Sequence, residues 1–330
     1  MKLPWPRLSV PPTLPVLIFL LVSIVLVHSA QLPTWAAASS SSRPMQTLYR
    51  IELQAAQSGW TSQQAAAAGD LWQSIGDLPR AAHLWEIALS LTEADAALLR
   101  RLAVAYLDLQ RWPQALIVLD QLVDLMPGDA WTQFSLGLIQ LTFNPSQAAE
   151  HLQVARKSPV YQPVVDDLLA ALAPRPDDPA GLMNVAVVLG QHGLWPFAET
   201  VSLAASDATH APEALAYAGL ARDQQGKNGA AQIDLAVAAA PDSPQVRFLQ
   251  GIHLRLHGDV LGGLDAFLRA AALNPTNPAY AAEVSASYQM LGNWTEAETW
   301  LVLAFRLSGD DPRFHELLAR FYEAMPSAGS

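Results

Sequence analysis

His253 and His257 stand four residues apart, a spacing that sets two imidazoles on one helix face within reach of a single metal ion. The intervening Leu254-Arg255-Leu256 lacks the glutamate of a zinc-protease helix, and Arg255 adds a positive charge that opposes a cation. The two histidines therefore read as a plain surface pair, and neither a metal nor a cofactor is expected. Asp166-Asp167, Asp177-Asp178 and Asp310-Asp311 are doubled carboxylates beside prolines or turns, where aspartate ordinarily caps helices. General acid–base work would also need a pocket that shifts one of their pKa values. No Gly-x-Ser-x-Gly and no glycine-rich loop ending in lysine is present. Asn293-Trp294-Thr295 has the pattern of a glycosylation acceptor but falls inside a helix-to-helix turn. With no cysteine among 330 residues, disulfides, thiolate zinc sites and cysteine nucleophiles are excluded. These residues point to a surface rather than to a reaction.

The elements that carry that surface repeat. Starting at Ser62, Ala96, Ala130, Pro179, Pro212, Pro244, Pro278 and Pro312, segments recur at intervals of 34, 34, 49, 33, 32, 34 and 34 residues. The eighth position is always small (Gly69, Ala103, Gly137, Ala186, Gly219, Gly251, Ser285, Ala319), as where two helices touch backbone to backbone. The eleventh is mostly aromatic or long and apolar (Trp72, Tyr106, Leu189, Leu254, Tyr288, Tyr322), with Gln140 and Arg222 as exceptions. Gly76, Gly193, Gly226, Gly258 and Gly292 each end a first helix. A second helix follows with small inner residues, among them Ala81, Ala115, Ala148, Ala198 and Ala297, and Pro127, Pro241 and Pro275 close repeats. Strand signals are nearly absent, so the chain should be almost all α.

The columns, with Gly292-Asn293-Trp294-Thr295-Glu296-Ala297 as a turn and Ala271-Ala272-Leu273-Asn274-Pro275 as a close, resemble the tetratricopeptide repeat family from about Ser62 to Glu323. The resemblance implies an all-α, right-handed α-solenoid of about seven helical hairpins plus a C-terminal cap helix. It also implies a concave groove lined by first helices, which carries over to Arg100, Val104 and Leu107; Trp131, Phe134, Leu138 and Leu141; Met183 and Val187; Leu220; Phe248, Ile252, Arg255 and Leu256; and Gln289 and Met290. Such an apolar groove would take a peptide or an apolar helix. The lysine and asparagine clamp that some family members use on a chaperone's C-terminal carboxylate is missing. Trp131 and Phe134 have a second reading, packing against a helix at Tyr161–Ala173 or against the N-terminal helix. Departures from the pattern lie at Phe143-Asn144-Pro145-Ser146, at Lys227-Asn228-Gly229 and at Gly263.

The organisation read from these patterns is 1–43, 44–61 (N-terminal helix), 62–157 (repeats one to three), 158–178 (extra helix and proline-rich connector), 179–311 (repeats four to seven) and 312–330 (cap helix and tail). The connector either continues the stack or is a hinge. In 1–43, Lys2 and Arg7 precede the apolar run Val16–Val27, followed by an Ala/Ser-rich linker, Ala36-Ala37-Ala38 and Ser39 to Ser42. This is a cleaved signal peptide or, if retained, a membrane anchor over residues 14–35; both put the repeats outside the cytoplasmic membrane. Beyond residue 43 the chain has 16 basic against 30 acidic side chains. The basic residues, scattered as Arg100-Arg101, Arg156-Lys157, Arg222 and Arg255, form no stripe and read as solvated helix faces, so nucleic acid is not an expected partner. The expected function is a non-catalytic interaction or assembly scaffold with a protein or peptide partner. The alternative is a regulatory or substrate-recruiting subunit of an envelope enzyme carried on another chain. Sequence leaves the oligomeric state open.

Overall fold

The computed structural model describes residues 34–93, 95–172, 181–309 and 311–325. These hold seventeen α-helices and no strand. Helix α1 spans Thr34–Ser58. Three hairpins follow: α2 (Ser62–Ile75) with α3 (Leu78–Ser90), α4 (Ala96–Asp108) with α5 (Trp112–Leu125), and α6 (Ala130–Gln140) with α7 (Pro145–Ala155). Helix α8 (Gln162–Leu172) stands outside the repeat. Four more hairpins are α9 (Leu182–Gln191) with α10 (Trp195–Thr209), α11 (Pro212–Gln224) with α12 (Ala230–Ala239), α13 (Pro244–Leu256) with α14 (Val260–Leu273), and α15 (Pro278–Met290) with α16 (Trp294–Ser308). Helix α17 (Pro312–Ala324) closes the described chain. The fold is an all-α solenoid of helical hairpins, in two compact units, α1–α8 and α9–α17.

Seven of the eight repeat starts coincide with the first residue of a helix, because each is preceded by a side-chain cap or begins with proline. Pro179, the eighth, lies outside the described residues, as do Asp177, Asp178 and the connector from 173. Thr61 and Gln64 form a capping box at α2, and Asp95, Asp129, Ser243, Asn277 and Asp311 cap their helices through side-chain oxygens. Asp166 and Asp167 are not caps: both lie inside α8, and Asp166 pairs with Arg156. Helix α1 begins at Thr34, ten residues before the expected helix, so the Ala/Ser stretch expected as a linker is helical and Pro44 falls within it. Leu48 of α1 buries against Ala68 and Leu84 of the first hairpin, and Trp72 donates to Glu52 at 3.2 Å. Thus α1 packs on the first repeat and does not occupy a groove. Most of residues 14–35 lie outside the described residues; among the described ones no helix is long and apolar enough to cross a membrane.

Each hairpin closes on its small column. A Cβ on Gly69 would come within 2.6 Å of Trp85 Cδ1, one on Gly137 within 2.9 Å of Leu152 Cγ, and one on Gly251 within 2.6 Å of Phe267 Cε1. Trp85, Leu152 and Phe267 are fully buried, so the second helix lays a large side chain across a bare first-helix backbone. Ser285 fills the same column in the last hairpin and donates to the Ala297 carbonyl at 2.6 Å. The inner alanines Ala81, Ala115, Ala148, Ala198 and Ala297 are all fully buried. The irregular fifth repeat closes by backbone contact, Gly229 lying directly on the Gly219 carbonyl, while the third turns without any left-handed residue. The five turn glycines all have positive φ. Two non-glycines share that conformation, Gln110 in the glycine column of the second repeat and His210 at the end of α10.

Gly251→Ala should destabilise the protein by about 1–3 kcal/mol despite its better helix propensity, since the Phe267 ring has nowhere to go. Gly229→Ala should cost more, because the obstacle there is backbone. Exposed His210→Gly should stabilise by about 0.5–1 kcal/mol by relieving the left-handed strain. Urea unfolding midpoints of the three variants, measured side by side, check the order.

Candidate functional site

Five of the sixteen residues expected to wall the groove are interior. Phe134, Leu138, Leu141, Leu220 and Ile252 are 9%, 3%, 0%, 3% and 5% exposed, so no partner reaches them without opening the fold. Phe248 tilts against Phe267 and Tyr280 at ring separations of 5.7 and 5.1 Å, and Leu256 packs on the same core. Phe134 stacks on Tyr161 at 4.6 Å, the residue that leads into α8, and every residue from Thr132 to Gln140 is buried. For Phe134 this is the second reading offered by the sequence, packing against the extra helix. Arg100, Val104, Leu107, Trp131, Met183, Val187 and Gln289 remain part-exposed, and Met290 is exposed.

In the α1–α8 unit the part-exposed site centres on Trp131. The Arg100 guanidinium lies over its indole at 4.6 Å and pairs with Asp129 at 2.8 Å. Asp129 also accepts from the Thr132 amide at 2.9 Å and from the Thr132 hydroxyl. Burial pushes the Asp129 carboxyl up, but the Thr132 and Arg100 hydrogen bonds outweigh it and hold its pKa below the usual value. Behind this group Gln133 donates to the Pro127 carbonyl at 2.7 Å and meets His151 Nδ1 at 2.6 Å, and burial depresses the His151 pKa. An open cleft of about 490 Å³ lies between α3, α4 and α5, floored by Leu99 and Leu102 and edged by Glu86, Gln114 and Ile117, the last 60% exposed.

Arg101, Arg156 and Lys157 are exposed, as expected of solvated helix faces, but the arginines are paired with acids. Arg101 of α4 pairs with Asp70 of α2 at 2.9 Å, and Asp70 also accepts from Trp85 at 3.1 Å. In the α9–α17 unit, Arg222 and Lys227 hold Glu199 at 2.7 and 3.3 Å, and Arg255 pairs with Glu283 while lying 4.9 Å over Phe267. Apart from Arg156, each of these arginines reaches an acid in an adjacent repeat, which makes them rungs between neighbouring hairpins. His253 is likewise no surface residue: it is 8% exposed, with Nδ1 2.6 Å from Asp223 Oδ2, while His257 Nε2 lies 2.9 Å from Asp223 Oδ1. Sequence reasoning missed Asp223 because it sits one repeat earlier, on α11. Its trace was an acid in one first helix and bases 30 and 34 residues on.

No family model and no curated protein matches the chain. Among solved structures, it is similar over 79% of its length to a chain of the APC/C hetero-tetramer Cut9–Hcn1, at 14% identity and a TM-score of 0.40, spanning only 49% of that chain. A tetratricopeptide repeat protein from Parabacteroides merdae is matched over 86% of this chain and 94% of its own, at 10% identity and a TM-score of 0.33. Yeast Tom70 is matched over 79% and 72%, at 12% identity and a TM-score of 0.37.

Asp129 stabilises the fold in its charged form. Its folded pKa is depressed, so that contribution is complete above the unfolded carboxylate value of about 3.9 and is lost as pH falls through the folded value. At neutral pH Asp129→Asn should be less stable than the parent by about 1 kcal/mol, and the gap should close as the pH is lowered below about 4. Thermal unfolding of both proteins from neutral pH down through that range measures it.

Proposed function

We propose that this tetratricopeptide-type repeat protein is a non-catalytic interaction scaffold. In this reading it binds a protein or peptide partner through the first-helix face that carries Arg100, Val104, Leu107 and Trp131. One observation carries the reading: Trp131 stays solvent-reachable on an otherwise buried helix, clamped flat by an Arg100 that Asp129 fixes from behind. Tryptophan and arginine are the side chains that most often dominate protein contacts, and an aromatic already held in place loses little freedom when it binds. The apolar flank of Val104 and Leu107 would complete a strip suited to an apolar helix or extended peptide.

The scaffold is placed outside the cytoplasmic membrane. Support for this comes from the sequence alone, Lys2 and Arg7 ahead of the apolar run Val16–Val27. An array of this kind holds a client, or brings two proteins together, and needs no chemistry of its own.

The test is a crosslinking pull-down from membranes, compared quantitatively among the parent chain, Trp131→Ala and Ile117→Arg. Trp131→Ala should weaken capture of the principal partner about tenfold or more, with unchanged circular dichroism, and Ile117→Arg should leave it intact. Loss with Ile117→Arg alone would move the contact to the α3–α5 cleft and refute the Trp131 face. Digestion of the repeats by protease added to intact cells supports the placement, and protection from it refutes the placement.

A further inference from the structure

We propose that Asp223, His253 and His257 form a binding site for a divalent transition-metal cation of the zinc class. Their three donor atoms, one carboxylate oxygen, Nδ1 of His253 and Nε2 of His257, all lie within 4.8 Å of one another. A cation with bonds of about 2.0–2.2 Å draws such donors to roughly 3.3 Å apart, a contraction that side-chain torsion supplies. The two imidazoles come from successive turns at the end of α13 and face each other at 4.6 Å. Asp223 comes from the neighbouring first helix, α11, so the cation would tie two adjacent repeats together.

The surroundings favour a cation. The Asp223 side chain is only 2% exposed. The basic groups nearby serve other acids, Arg222 and Lys227 on Glu199 and Arg255 on Glu283, which removes the objection that Arg255 raised in the sequence. The site also lies at two helix C-terminal ends, Asp223 in the last turn of α11 and His257 at the C-cap of α13, where the helix dipole favours a cation. Asp223 Oδ1 accepts the Gly229 amide at 2.9 Å, an outer hydrogen bond of the kind that orients a metal-binding carboxylate.

On binding, each imidazole presents the nitrogen that now faces Asp223, and its single proton sits on the ring nitrogen that faces away. No oxidation or group transfer is involved. The imidazole donors select zinc, copper, nickel or cobalt over magnesium or calcium. The His257 side chain is 45% exposed and leaves a fourth position open to water or to a donor from a bound protein.

The experiment is calorimetric titration of the untagged full chain with zinc chloride, together with the visible absorption of its cobalt(II) complex. One equivalent of zinc should bind, cobalt should give the intense bands of a low-symmetry nitrogen and oxygen site, and zinc should raise the Tm. His257→Ala changes an exposed side chain, so its circular dichroism should match the parent while zinc affinity falls about 100-fold. Asp223→Asn should lose the cobalt spectrum. His83→Ala, remote in sequence, should bind as the parent does. Absence of saturable zinc binding by the parent chain overturns the site, as does undiminished one-equivalent binding in His257→Ala.

Discussion

The approach of two helix backbones inside each hairpin is the constraint from which the rest of the structure follows. Where the eighth position carries no side chain, the second helix sinks until Trp85, Leu152, Ile233 or Phe267 lies on bare main chain. That depth sets the tilt of the hairpin, and so the surface that it offers to the next one. The column tolerates alanine or a serine tethered to a carbonyl, but nothing wider. Gly263 shows the same limit from the opposite helix, a Cβ there falling 3.0 Å from the Gly251 carbonyl oxygen. The sixth hairpin therefore departs from the alanine pattern because it is closer, not because it is looser.

Contacts between hairpins obey a different rule. Alanine-rich faces are smooth, and a smooth face fits its neighbour in more than one register. Polar rungs remove that freedom: Arg101 with Asp70, Arg100 with Asp129, His253 with Asp223, Arg255 with Glu283 and Ser243 with Glu213 all join groups 28 to 31 residues apart. A slip of one helical turn would keep most apolar contact while breaking every rung in that joint. The cost is visible in Arg255, whose Nη1 is buried without a hydrogen-bond partner.

This difference explains what could be read from the sequence. Repeat starts were legible to the residue at seven of eight positions because caps, small residues and prolines are local signals repeated in fixed columns. The rungs were not, since each pairs two different columns in two different repeats, and one member taken alone, such as Arg222 or His253, looks like an ordinary surface residue. Which groove residues are open to solvent was not legible for a related reason. Columns identify a first-helix face, but only packing decides whether that face is open. Tyr161, in a stretch that belongs to no column, covers Phe134.

Buried polar joints also constrain where function can reside. A rung that is satisfied internally presents little to a partner, so the contact surface must be made of what the joints leave over. Around Trp131 the two roles meet in one residue: Arg100 closes a joint through Asp129 and at the same time shelves the indole. At Asp223 they meet again, because a carboxylate needed to hold the Gly229 turn also lies under two imidazoles from the following repeat. In both places the sequence carries an aromatic or a second histidine beyond what the joint requires. Residues in excess of the structural need, placed at a joint and still reachable by solvent, are where a repeat array can acquire a ligand without redesigning its core.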